Sequence, residues 1–208
     1  MTVHPLWRPH EQPTQHETDQ AFVSGSEPRT PGPIEVVPYD PEWPTTYERV
    51  AASVREALQD RVLDLQHIGS TSVPGLPAKP VIDVDLVVAD PAAEDTYVPA
   101  LERRGYVLRV REPWWQGHRM LRHERPAVNL HVFGPEAVEP RRHRLFRDWL
   151  RRDGDDRAAY AALKTGLSGR SLQRMSEYNA AKSALVHEIY EHAFLADADH
   201  PHDPQPID

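Results

Sequence analysis

His67-Ile68-Gly69-Ser70-Thr71-Ser72-Val73-Pro74-Gly75, continued by Lys79-Pro80-Val81-Ile82-Asp83-Val84-Asp85-Leu86-Val87-Val88, decides the fold class of this chain. A turn of small residues stands ahead of a strand-like run that carries two aspartates one residue apart. Side chains in a strand alternate faces, so Ile82, Val84, Leu86 and Val88 point one way and Asp83 and Asp85 the other. Two carboxylates on one face repel each other and resist burial unless a cation joins them. Such a pair, with a small-residue loop nearby for phosphates, is the pattern of a Mg²⁺ platform for phosphoryl or nucleotidyl transfer. The plainer alternative is an edge strand with a solvated polar face.

Around this stretch the 208-residue chain suits one domain with extensions. No run approaches the apolar length of a membrane helix, and the N-terminus lacks a signal peptide's regions, so no membrane partner is expected. The absence of cysteine excludes a disulfide framework and a thiolate metal site, which fits a cytoplasmic location. A formal charge of −8 argues against nonspecific nucleic-acid binding by the whole surface. Residues 1–33, with Pro5, Pro9, Pro13, Pro28, Pro31 and Pro33 among polar residues, form an arm that is disordered or loosely docked. Residues 34–195 form the domain, and residues 196–208 a flexible tail, whose His200 and His202 offer a weak metal-binding signal.

Inside the domain, Ile34 to Val37 is a candidate strand, and a helix is expected from Pro44, with Tyr47, Val50, Ala51, Val54 and Leu58 at helical spacing. Further strands are expected at 62–68, 81–88, 106–110, 118–122 and 128–133. A helix at 92–104 should stop at Gly105, and helices at 138–152, 156–167 and 172–194 should follow. The pattern is α+β: a mixed sheet flanked by helices, then a helical C-terminal part. Val128-Asn129-Leu130-His131-Val132 alternates strictly, so Asn129 and His131 share a face. Beside the aspartate strand, His131 is a candidate metal ligand, orienting group or general base.

The string from His67 to Gly75, with Ala78-Lys79-Pro80, Ile82-Asp83, Asn129-Leu130-His131-Val132 and Tyr178-Asn179-Ala180-Ala181-Lys182, resembles the GrpB family from about residue 34 to 194. The resemblance implies a nucleotidyltransferase-like α+β fold. It also implies roles by position: Gly69 and Ser70 on the phosphates of a nucleoside triphosphate, Asp83 and Asp85 on Mg²⁺. At the position where the superfamily carries a third carboxylate, this chain has His131, which supplies less negative charge to a second metal.

Lys79, Lys182 and Arg119 are candidate phosphate contacts, with Lys164 behind them; these three lysines are the only ones in the chain. Trp114 and Trp115 either stack on a base or cover a core edge. Arg141 to Arg152 is the most basic stretch, its Leu145, Phe146, Trp149 and Leu150 forming an apolar stripe that leaves the arginines outside. The expected function is Mg²⁺-dependent transfer of a nucleotidyl group from a nucleoside triphosphate to an unknown small-molecule or macromolecular acceptor, nucleic acid being disfavoured. The alternatives are a nucleotide- or CoA-type ligand-binding module without chemistry, and an adaptor working through its arm and the arginine-rich helix.

Overall fold

A computed structural model describes residues 2–9, 13–29, 32–169 and 174–205. Helices α1 (Gln15–Ala21), α2 (Trp43–Leu58), α3 (Val98–Glu102), α4 (Glu139–Arg152), α5 (Gly154–Leu167) and α6 (Met175–Leu195) surround strands β1 (Asp64–Ile68), β2 (Ile82–Val87), β3 (Val107–Glu112), β4 (His118–Glu124) and β5 (Ala127–Phe133). The sheet order is β1-β2-β5-β4-β3, with β2 and β5 parallel and every other pair antiparallel. The expected α+β architecture is therefore present: a five-stranded mixed sheet flanked by helices, with a helical C-terminal part.

Alternation along the strands divides the sheet into two unlike faces. Ile82, Val84 and Leu86 of β2 and Val128, Leu130 and Val132 of β5 are buried with Val50, Val54 and Leu58 of α2 and Leu101 of α3. This is the main core, and removal of such surface from water is its principal stabilisation. The opposite face carries Asp83 and Asp85 in register with Asn129 and His131, and these are in turn in register with Arg122 and Met120 of β4. Four polar side chains are thus set side by side on the two central strands, where α4, α5 and α6 cover them.

Three local expectations shift. Residues 34–37 make a single bridge, Val37 to Ala78, instead of a strand. The helix expected at 92–104 is interrupted: residues 94–96 form a tight turn, Tyr97 leaves helical geometry at φ −134°, and α3 begins afterwards. Pro99 lacks the amide hydrogen needed to join the two segments. The last helix begins at Met175, and its expected start at Leu172 lies outside the described residues.

The arm is tied down at several points. Thr14 and Glu17 form a reciprocal cap on α1, Phe22 bridges Val110 of β3, and both Glu27 carboxylate oxygens accept from Ser176 of α6. Nearer the N-terminus, His4 and Trp7 bond Asp197 and Glu191.

Candidate functional site

The small-residue turn after β1 is held from several sides. Gly69 has φ +69°, a left-handed conformation that glycine adopts without a Cβ penalty. Thr71 donates its hydroxyl to the Val81 carbonyl and faces His67 Nε2 at 3.0 Å. Burial, with Arg151 and Arg147 close by, lowers the His67 pKa to about 4, so this imidazole is neutral and donates Nε2–H to Thr71. Arg151 of α4 donates twice to the Ser72 carbonyl, at 2.7 and 3.1 Å. Arg147 reaches the His67 carbonyl and Arg144 pairs with Asp64. Much of the basic stretch therefore fastens α4 to β1 and the turn.

Gly69 abuts Asp83 so closely that a Cβ there would lie 2.5 Å from Asp83 Oδ2 and 2.9 Å from its Cβ. Gly69→Ala is expected to move the whole Asp83 side chain and to strain the backbone, destabilising the protein by about 1–3 kcal/mol. Chemical denaturation checks this; a wild-type profile would refute the close approach.

Asp83 Oδ1 accepts from the Asn129 amide at 2.8 Å, and Asn129 Oδ1 accepts from Arg122 at 3.0 Å. Burial pushes the Asp83 pKa up, against the Asn129 hydrogen bond and the charges of Lys79 and Lys182. Asp85 is 1 % exposed; its Oδ2 accepts from His143 Nδ1 of α4 at 2.9 Å, whereas its buried Oδ1 has no partner. Burial alone would discharge His143, but the charge and hydrogen bond of Asp85, with Glu139, outweigh it and raise the pKa. His131 shares a 3.0 Å hydrogen bond through Nδ1 with His118 Nε2, and His118 donates Nδ1–H to Glu112 at 2.6 Å. Burial, then the neighbouring His118, lowers the His131 pKa to about 3.

The three lysines converge here. Lys79 and Lys182 lie 4.8 and 4.3 Å from the Tyr178 ring centroid, and Lys164 lies 4.6 Å from that of Tyr160, whose hydroxyl lies against Ser70. Lys164 is 2 % exposed and donates to the Pro77 carbonyl at 2.5 Å; Lys79 has the sulfur of Met175 at 2.9 Å. Among the described residues no lysine has a carboxylate within ion-pair distance. Burial lowers all three, Lys79 and Lys182 to about 8 and Lys164 to about 7, with mutual repulsion adding for Lys79 and Lys164. Three buried or half-buried cations on aromatic faces and weak acceptors have the chemistry to attract a polyanion.

The structure thus brings together Gly69, Ser70, Asp83, Asp85, His131, Lys79, Lys164 and Lys182. Arg119 is not among them: it pairs in register with core-facing Val132, and its guanidinium meets Glu94 at 2.6 Å on the opposite face. Arg122, two strand positions on from Met120, supplies the site-side cation instead. Trp115 sits edge-on to His118 and Phe133, while Trp114 is 54 % exposed. The sequence reading gave His143, Tyr160 and Tyr178 no role at the site, Tyr178 entering it only within the family-like string. A signal for the last two existed, because Tyr160/Lys164 and Tyr178/Lys182 repeat one spacing that puts both side chains on one helix face.

For a divalent cation the donor set is two hard carboxylates, each with an oxygen that accepts no hydrogen bond, and the orphaned Asp85 Oδ1 is the clearer opening. That fits Mg²⁺, which binds one or two carboxylates and completes its shell with water and phosphate oxygens. His131 does not join this pair as a third ligand; among the described residues the compact three-ligand group is His4, Asp197 and His200. There His4 Nδ1 accepts the Leu6 amide, so its Nε2–H points at Asp197 and makes a latch between arm and tail. His202 repeats the arrangement, with Nδ1 on the His4 amide and Nε2 on Glu191.

Fold and site define an α+β protein with a cationic cleft around paired carboxylates on the central strands. The chain belongs to the GrpB family, whose model, described as "GrpB protein", matches residues 33–192. A UPF0157 protein of Halalkalibacterium halodurans is 43 % identical, over 86 % of this chain and 92 % of that protein. The crystal structure of GrpB from Enterococcus faecalis superposes with a TM-score of 0.63 at 28 % identity, over 76 % of this chain and 96 % of that one. A dephospho-CoA kinase of Mycolicibacterium paratuberculosis is 31 % identical, over 78 % of this chain but only 46 % of the kinase. Among the described residues no helix is long and apolar enough to cross a membrane.

Proposed function

We propose that the protein is a Mg²⁺-dependent nucleotidyltransferase that passes a nucleotidyl group from a nucleoside triphosphate to an acceptor. The observation that carries this reading is the convergence of all three lysines, none of them ion-paired among the described residues, beside the Gly69–Ser70 turn and the Asp83–Asp85 pair. Lys79, Lys164 and Lys182 neutralise the triphosphate, and the turn gives it room. Asp83 and Asp85 would hold Mg²⁺, which supplies charge neutralisation at the reacting phosphate. Positioning and electrostatics supply most of the rate in such a transfer. His131 stays neutral, and with Nδ1 given to His118 it offers Nε2 to orient a ligand.

The test is incubation of the protein with Mg²⁺, each of the four common triphosphates and a cell metabolite extract, followed by mass spectrometry and a pyrophosphate assay. A new species heavier by one nucleotidyl group, with matching pyrophosphate, is the expected result. Tight ATP binding without pyrophosphate over hours would select the second reading, a ligand-binding module. The absence of a third carboxylate at His131 favours that second reading, as does the match to part of dephospho-CoA kinases.

A further inference from the structure

A cavity of about 840 Å³ opens beside the carboxylate pair, between the site face of the sheet, α6 and the arm. This is the size of a small-molecule site. Its lining is mixed. Lys79, Arg122, Asn129 and His131 bring polar groups from the side of Asp83, which Asn129 bonds. Val110 and Met120 of the sheet, Met175 of α6 and Phe22 of the arm supply apolar wall.

We propose that this cavity takes the acceptor, and that the acceptor is a small amphipathic molecule with an oxyanion head, carboxylate or phosphate, on an apolar body. The inference rests on the transfer reading above. Two features select the head. Lys79 donates to a thioether sulfur and lies over an aromatic ring, with no carboxylate within ion-pair distance among the described residues, so its charge is available to an anion. The acids that line the cavity are engaged elsewhere: Glu27 with Ser176, Glu112 with His118, and Glu177 with a contact of its own. Two features select the body. The apolar walls reward burial of a hydrocarbon or aromatic group. The arm is pinned on both sides, by the Val23 amide on the Arg109 carbonyl at 2.9 Å and by Glu27 on Ser176, so it walls the cavity against a macromolecular surface.

In the step itself, an oxygen of the head attacks the α-phosphorus, and the bond from that phosphorus to the bridging oxygen of pyrophosphate breaks. Pyrophosphate leaves with the electron pair. The head is ionised before it reacts, so no proton has to be removed; the product is an acyl–phosphoric mixed anhydride from a carboxylate and a phosphoric anhydride from a phosphate.

The test uses the full chain and 1-anilinonaphthalene-8-sulfonate, an aromatic body with an anionic head. One saturable site per chain is expected. Phe22→Asp, which puts a charge on the apolar wall, and Thr18→Trp, which fills the cavity from the half-buried Thr18 position of α1, should each weaken it by about tenfold or more while ATP affinity stays within about twofold. Thermal melting confirms that both variants fold, and Thr18→Trp stands alone if Phe22→Asp does not. Unsaturable dye binding, or unchanged affinity in the folded variants, overturns the proposal. Labelled acceptors found in the extract should be carboxylic or phosphoric acids of low mass. Labelling only of neutral alcohols, protein or RNA overturns the acceptor class and leaves the transfer reading standing. Dye binding as expected with no transfer from any triphosphate removes the transfer reading, and the acceptor role with it.

Discussion

Under the proposed function, Asp83→Asn should reduce Mg²⁺-dependent nucleotidyl transfer to below about one hundredth of the wild-type rate and leave the melting temperature unchanged or higher. The two halves of this result have one cause. Burial already pushes the Asp83 pKa up, so the ionised carboxylate costs folding energy that a neutral amide removes. Under the proposed function, that charge serves to hold Mg²⁺. Asp85→Asn should match the loss of activity but not the thermal behaviour. Asp85 accepts from His143 and raises its pKa, and an amide removes both that charge and that acceptor, at a cost of about 1–3 kcal/mol. Pyrophosphate release and differential scanning fluorimetry on both variants check the pair. A wild-type rate in Asp83→Asn would remove Asp83 from the site.

ATP affinity should be highest near neutral pH and fall as pH rises from 7 to 9, with protons taken up on binding at pH 8. Lys164 loses its proton near 7, and Lys79 and Lys182 near 8. A bound polyanion favours the charged form of each, so binding draws protons from solvent. The stability of the unliganded chain should run the other way. Each lysine has a lower pKa folded than unfolded, so over the window from about 7 to the ordinary 10.5 the unfolded chain holds more protons, and stability rises with pH. Lys164→Met should weaken ATP by about tenfold or more and flatten part of the pH dependence. Calorimetry in two buffers of different ionisation enthalpy measures the proton uptake directly. Equal heats in both buffers at pH 8 would discard the lysine cluster as the phosphate receptor.

How much of this was legible in the sequence follows from which features are local. Alternation in 82–88 and 128–132 assigned the faces of both central strands, because one face must meet water or polar partners and the other the core. The same rule, applied to β4, would have excluded Arg119, which shares parity with buried Leu121, and pointed to Arg122. The missed proximity was tertiary. His143 meets Asp85 across 58 positions, and Lys79 and Lys182 meet over Tyr178 only when α6 folds back on the sheet. The arginines of α4 looked solvated because helical periodicity shows which side is apolar, not which backbone carbonyls lie within reach of a long side chain.

The family match begins at residue 33, whereas Phe22 and Glu27, which close the cavity, precede it. Under the proposed function, the sheet, the turn and the lysine helices within the family match carry the transferring groups, whereas the apolar wall comes in part from a segment ahead of it that meets the sheet only at the edge strand β3. Exchanging this arm between two members of the family is then expected to change which ligand body is preferred while the groups around Asp83 stay in place.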